Sequence, residues 1–134
     1  MAARSRWLLA ALSCLLSANA YAVDPPAKAG EILITELLAE PKQVADYYGE
    51  WFELVNVSGR TLDLNGVSIR DGDKDILQIG TDAPTNVRYF AAGDRLVFGV
   101  WADTNVNGNI SLDHDYDFTN FKLDKTGAEI YVYY

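Results

Sequence analysis

The run from Gly49 to Gly59, GEWFELVNVSG, constrains the fold more than any other stretch of the chain. Successive side chains of an extended segment point to opposite faces, so Trp51, Glu53 and Val55 share one side and Phe52, Leu54 and Asn56 the other. Large apolar residues fall on both sides, which predicts a central strand of a two-layer β structure. Gly49 precedes the run, and Asn56 with Ser58-Gly59 closes it with turn chemistry.

Other segments have the same period of two. Strands are expected from Glu31 to Leu38, where Pro41 stops the run, and in two pieces from Thr61 to Arg70 with a bend at Asn65-Gly66. Further strands are expected at Ile76–Ile79, Val87–Phe90, Arg95–Trp101, Phe118–Leu123 and Ala128–Tyr134. The connection Ala102–Asp117 reads as a long polar loop. Short strands at regular spacing, divided by Gly, Asn and Asp turns and without helical periodicity, indicate an all-β sandwich or barrel.

The N-terminus has a different logic. Arg4 and Arg6 precede a ten-residue stretch, Trp7 to Leu16, that is apolar apart from Ser13 and Cys14, and Ala20-Tyr21-Ala22 follows. A short positive region, an apolar core and small residues at the cleavage positions define a secretory signal peptide over residues 1–22, cut after Ala22. The apolar run is far below the ~20 residues that span a bilayer, so the mature chain is expected to have no membrane span and to be secreted or periplasmic. Ala11-Leu12-Ser13 before Cys14 is a poor match to the box that lipoprotein processing prefers. Cys14 is the only cysteine and leaves with the signal, so the mature chain has no thiol for a disulfide, a zinc–thiolate site or a nucleophile. Residues 23–30, VDPPAKAG, read as an extended, mobile leader, and residues 31–134 as one domain. The formal charge of −8 becomes −10 once Arg4 and Arg6 are removed. Such a surface repels phosphate backbones and argues against nucleic acid as a partner.

Four stretches together resemble the lamin-tail domain: GEILITELLAEP, GEWFELVNVSGRTLDLNGVSIRDG, YFAAGDRLVFG and FKLDKTGAEIYVYY. The family's opening strand is matched by Ile34, Glu36, Leu37 and Pro41. Its acidic-aromatic strand is matched by Glu50 to Leu54 with Asn56, and the segment after it by Asp63, Leu64, Gly66, Val67 and Ile69. Gly93 and Leu96, then Gly127 to Val132, match the last two pieces. Val67 stands where the family usually has tryptophan, and many bacterial members continue through another hairpin strand. The resemblance implies an immunoglobulin-like β-sandwich. Beside a signal peptide it implies a non-catalytic, extracytoplasmic module of bacterial type that contacts a protein or cell-surface component, and no enzyme.

Several residues could carry chemistry. Asp103, Asn105, Asn107, Gly108 and Ile110 match the first eight positions of an EF-hand-type loop, and Asp113 and Asp115 flank the twelfth, which is His114 rather than Glu. Calcium takes several oxygen ligands from such alternating acid and amide side chains, so this loop is the candidate calcium site of an accessory module, against a plain Asn-Gly turn. Asp71, Asp73 and Asp75 alternate in DGDKD and would be the cation site of a metal-dependent hydrolase, or a solvated hairpin turn. Glu50 and Glu53 face opposite sides of a strand and cannot act as an acid–base pair; one is expected to pair with Arg60, Arg70 or Arg95. His114, the one histidine, is expected to be solvated. Tyr47, Tyr48, Tyr131, Tyr133, Tyr134, Trp51 and Trp101 could stack on sugars or anchor a protein, or simply cover the sheets. Asn56-Val57-Ser58 and Asn109-Ile110-Ser111 fit the glycosylation acceptor pattern.

Overall fold

The alternation of residues 51–56 becomes a strand flanked on both sides, in a computed structural model that describes residues 23–26, 28–72, 75–81, 83–127 and 129–134. The expected signal peptide lies outside the described residues. Among the described residues nine strands form in chain order: β1 (Ile32–Leu38), β2 (Trp51–Asn56), β3 (Leu62–Asp63), β4 (Ser68–Asp71), β5 (Asp75–Gln78), β6 (Tyr89–Phe90), β7 (Arg95–Gly99), β8 (His114–Asp115) and β9 (Ile130–Tyr133). Among the described residues the only helices are α1 (Asp46–Gly49) and α2 (Thr85–Arg88), of four residues each, so the fold is all-β. Among the described residues no helix is long and apolar enough to cross a membrane.

The strands form sheets of order β1-β2-β7-β8, β3-β6 and β5-β4-β9. β2 pairs antiparallel with β1 and β7, which makes it an internal strand of its sheet. Phe52 and Leu54 are fully buried, while Trp51, Glu53 and Val55 are half-buried. One cluster of buried side chains joins the sheets: Phe52 and Leu54 of β2, Phe98 of β7, Ile69 of β4, Leu62 of β3 and Phe90 of β6 all belong to it. At its centre Phe52 and Phe98 are parallel with centroids 5.2 Å apart, and Phe121 meets Phe52 edge-on at 6.0 Å. Burying such side chains stabilises the fold by roughly 1.5–3 kcal/mol each.

β1 changes phase part-way. Ile34 faces Leu54 but Glu36 faces Glu53, so Thr35 is an extra residue, a bulge that sets Leu37 opposite Phe52, where Leu37 stays exposed. The bend at Asn65-Gly66 is a turn in which Val67 N–H donates to Leu64 C=O at 2.9 Å, and Gly66 takes φ of 86°, a value that suits glycine.

Three expectations give way. Residues 118–123 form no strand: Phe121 N–H turns back to Asp117 C=O at 3.1 Å, and the segment is held by side chains instead of a ladder. The strand expected at Val87–Phe90 is helix to Arg88 and strand only at Tyr89–Phe90, because Pro84 C=O accepts from both Val87 and Arg88 N–H. The leader is docked: Asp24 bridges Leu62 in parallel, Asp63 N–H donates to Asp24 C=O at 3.0 Å, and Pro26 is buried. Arg60 fixes it further by donating to the carbonyls of Asp24 and Pro25, each at 3.2 Å.

Candidate functional site

Among the described residues the larger sheet ends at β1 and β8 and the three-stranded one at β5 and β9; two of these edges, β1 and β9, lie near each other. They border one groove, about 480 Å³, lined from one side by residues 29–30 and 32–34 and from the other by residues 130–134. An edge strand exposes backbone N–H and C=O groups that no neighbour uses. Among the side chains lining this seam, Leu33 on β1 and Tyr131, Tyr133 and Tyr134 at β9 are exposed, Tyr133 by 47%. The register explains the patch. Arg70 of β4 lies opposite Ile76 on one side and Tyr131 on the other, so these residues share the outer face of the sheet while Ile69, Leu77 and Val132 share the inner. The Arg70 guanidinium stacks over the Tyr133 ring, 4.6 Å from its centroid. Tyr131 hydroxyl donates to Glu129 Oε2 at 2.7 Å, and the Tyr131 and Tyr133 rings stand 6.0 Å apart. Stacking and hydrogen bonding preset these aromatics, so little side-chain entropy remains to be lost on contact.

A second feature lies where α1, the end of β4 and the 116–127 segment meet. Glu50, just ahead of β2, is only 1% exposed. Its Oε1 accepts from Tyr116 hydroxyl at 2.9 Å and from Leu123 N–H at 3.1 Å, and Oε2 accepts from the same N–H at 3.2 Å. Burial pushes its carboxyl up to about 7; the Tyr116 and Leu123 donors oppose this, and the Asp46 and Asp71 charges add to it. The Tyr116 hydroxyl is itself raised by burial and by the Glu50 charge. Beside Glu50 lies a cleft of about 740 Å³ whose lining includes Asp46, Asp71, Asp75 and Lys125.

The candidate calcium loop is clasped on itself. Asp103 Oδ1 accepts from Asn105 N–H and Nδ2, both at 2.9 Å, so these two do meet. Asn107 is buried and turned inward: its Nδ2 donates to Trp101 and Ile110 carbonyls at 2.7 Å, and its Oδ1 accepts from Ile110 N–H at 2.9 Å. Asp113 lies against β7, accepting from Val97 N–H at 2.8 Å, and Asp115 pairs with Gly99 in the β7–β8 bridge. Among the described residues no three His, Asp or Glu side chains gather into a metal-holding group, so Asp103, Asp113 and Asp115 do not converge. The set serves to shape the loop and does not fit a calcium cage.

The Asp71 cluster is described at two of its three carboxylates. Asp71 is buried and accepts from Asp124 N–H and, at 3.3 Å, from Glu129 N–H; Asp75 sits opposite it on β5, and Asp73 lies outside the described residues. Glu53 takes the expected partner among the three arginines, Arg95, together with Thr35 hydroxyl. His114 is half-buried, with its ring edge-on to Phe98 at 5.7 Å, where a solvated residue was expected. Asn56 is fully buried and cannot be reached as a glycosylation acceptor, whereas Asn109 is exposed. The Glu50 network was missed by strand arithmetic because its partners lie 66 and 73 residues away. In comparisons with known proteins, no family model, no curated protein and no solved structure matches the chain.

Proposed function

We propose that this chain is a non-catalytic, extracytoplasmic binding module of lamin-tail type that takes an extended polypeptide segment of a protein or cell-surface partner along the β1/β9 seam. The observation that carries the reading is the pair of sheet-edge strands bordering one groove, with Leu33, Tyr131, Tyr133 and Tyr134 exposed around it. A segment added at such an edge satisfies the unused backbone groups, and alternate side chains contact the exposed apolar residues. The net acidity of the chain favours a partner strand with basic residues. The lamin-tail reading draws support from where the matching residues fall. Trp51 to Asn56 form the central strand β2, Ile69 and Val132 pair across β4 and β9, and Gly93 and Leu96 lie at the turn into β7 and within it. In that reading the two larger sheets are the layers of an immunoglobulin-like sandwich. Export is supported by the N-terminal charge and apolar pattern and by the absence of cysteine from residues 23–134.

The test is capture from an envelope fraction by the immobilised mature chain, beside a Tyr131→Ser/Tyr133→Ser variant whose unchanged β circular dichroism shows that it folds. Specific capture of a protein by the wild type and at least tenfold less by the variant is expected. Equal capture by both, or measurable turnover of a substrate by the chain, overturns the reading.

A further inference from the structure

The outer face of the β5-β4-β9 sheet carries an arginine that pairs with no acid. Arg60, Arg88 and Arg95 each hold a carboxylate, those of Glu31, Asp63 and Glu53. Arg70 holds none among the described residues. Its Nε is buried without a hydrogen-bond partner, and its guanidinium is fixed by the Tyr133 ring, 4.6 Å from the centroid. A buried donor without an acceptor is rare in a folded chain, because the group has given up its water and gained nothing in exchange. The Nη groups are not closed off in this way. Stacking occupies the flat face of a guanidinium and leaves its in-plane N–H donors unused. Glu129, two residues before Tyr131, accepts from the Tyr131 hydroxyl instead.

We propose that Arg70 is a specificity-determining residue of the β9 edge: it reads a carboxylate side chain, glutamate or aspartate, at the outer-facing position of the partner strand opposite Tyr133. Arg70 has this role only if the β1/β9 seam takes a strand, so it rests on that reading and adds the chemistry of one position to it. β9 is a sheet edge and β4 is the strand next to it. In the β4–β9 register Arg70 lies opposite Tyr131 and the small Ser68 opposite Tyr133. Meeting the Tyr133 ring therefore takes the arginine diagonally across the sheet, which carries its charge toward the open edge.

A strand laid against β9 runs about 4.8 Å farther out, with side chains alternating between the two faces. Its outer-facing side chain opposite Tyr133 lies beside the ring that holds the guanidinium. A carboxylate there accepts two parallel N–H bonds, a fit that arginine offers and lysine does not. Arg70 is half-buried between Ile76 and Tyr131, so this ion pair is screened less than one in open solvent. The acidity of the chain favours basic residues along the partner strand as a whole. Arg70 makes one position the exception, and a single charge of opposite sign fixes the register of the added strand as well as its sequence.

Selection of short displayed peptides on the immobilised protein tests this, with Tyr131→Ser/Tyr133→Ser, Arg70→Gln and Arg70→Lys beside it and circular dichroism to show that each variant folds. Peptides that need Tyr131 and Tyr133 are expected to share an acid at one fixed position. Replacing that acid by glutamine should weaken binding to the wild type about tenfold and change little on Arg70→Gln. Arg70→Lys should recover only part of the preference, because it restores the charge without the fork. Equal affinity of the acidic and glutamine peptides for the wild type overturns the proposal without any variant. So does a set of tyrosine-dependent peptides with no common acid, or an acid preference that persists in Arg70→Gln; in each case the seam still binds a strand. If no selected peptide depends on Tyr131 and Tyr133, the seam reading falls and the role of Arg70 with it.

Discussion

Changing Asn56 to aspartate replaces one NH₂ group by one oxygen at a site with no solvent exposure, and the hydrogen bonds around it allow the outcome to be worked out. Asn56 Nδ2 donates to the carbonyls of Arg60 and Phe90, both at 2.7 Å, and Oδ1 accepts from Ser58 N–H at 2.9 Å and Ser58 hydroxyl at 2.7 Å. The residue thus ties the end of β2 to the following turn and to β6 in another sheet. Asn56→Asp keeps the two accepted bonds and aims an oxygen at two carbonyl oxygens. Leaving each buried acceptor unpaired costs about 1–3 kcal/mol, so the loss is about 4 kcal/mol before the charge is counted. Against a domain stability of about 5–15 kcal/mol this is large. Burial without a cation raises the pKa of the introduced carboxyl above the usual ~3.9. The charge penalty is then absent below that ordinary value and grows as pH rises toward the raised one, because the protonated form can donate to one of the two carbonyls again. Asn56→Ala orphans the same two carbonyls and the two Ser58 donors, so it should cost at least about 4 kcal/mol, and with no titrating group added that cost should not vary with pH. Urea unfolding followed by tryptophan fluorescence at pH 4 and pH 7 measures all three chains. The reasoning is refuted if Asn56→Asp lies within about 1 kcal/mol of wild type at pH 7, or if its deficit is the same at both pH values.

Phe98→Ala removes the ring stacked on Phe52 at 5.2 Å and should cost about 3–5 kcal/mol, lowering the melting temperature by more than about 10 °C in a calorimetric scan. Gly99→Ala places a Cβ 2.8 Å from Leu112 Cδ2 and 3.1 Å from Glu50 C=O. It should destabilise by about 1–3 kcal/mol, and adding Leu112→Ala should cost less than the sum of the single changes in a double-mutant cycle. Arg95→Ala breaks the ion pair with Glu53, but the arginine side chain is 56% exposed, so denaturant midpoints should reveal a loss of about 1 kcal/mol or less. Melting the protein with millimolar calcium and then with chelator should give one and the same midpoint, because Asn107 is committed to Trp101 and Ile110; a calcium-dependent rise would show that the loop rearranges around an ion.

The period of two in EWFELVN is a local property, and it carried far. It placed Phe52, Leu54 and Asn56 on one face and made β2 internal, as the pairing with β1 and β7 shows. It also separated Glu50 from Glu53, and the two carboxyls indeed have unrelated partners, Tyr116 and Leu123 for one and Arg95 for the other. The same period misled at 118–123. Phe121 and Leu123 alternate as strand residues do, but no neighbouring strand offers a ladder, and their backbone is held by Asp117 and Glu50 instead. Thr35 shows a third case, since a bulge depends on the partner strand's register and leaves no mark in the spacing of β1 alone.

Side-chain alternation and turn residues were enough to determine that this chain is β-structured and where most of its strands begin and end, because each depends on neighbours a few residues apart. Which strands are left as edges depends on pairings between distant segments, and so the β1/β9 seam belongs to the tertiary structure. The burial of Glu50 and Asn56 has the same origin. Each looked like an exposed acid or a turn residue in its own stretch, and each is enclosed by chain that arrives from far along the sequence, 34 residues away for Phe90 and 73 for Leu123. A polar group's environment is set by what folds over it, and that is a long-range property.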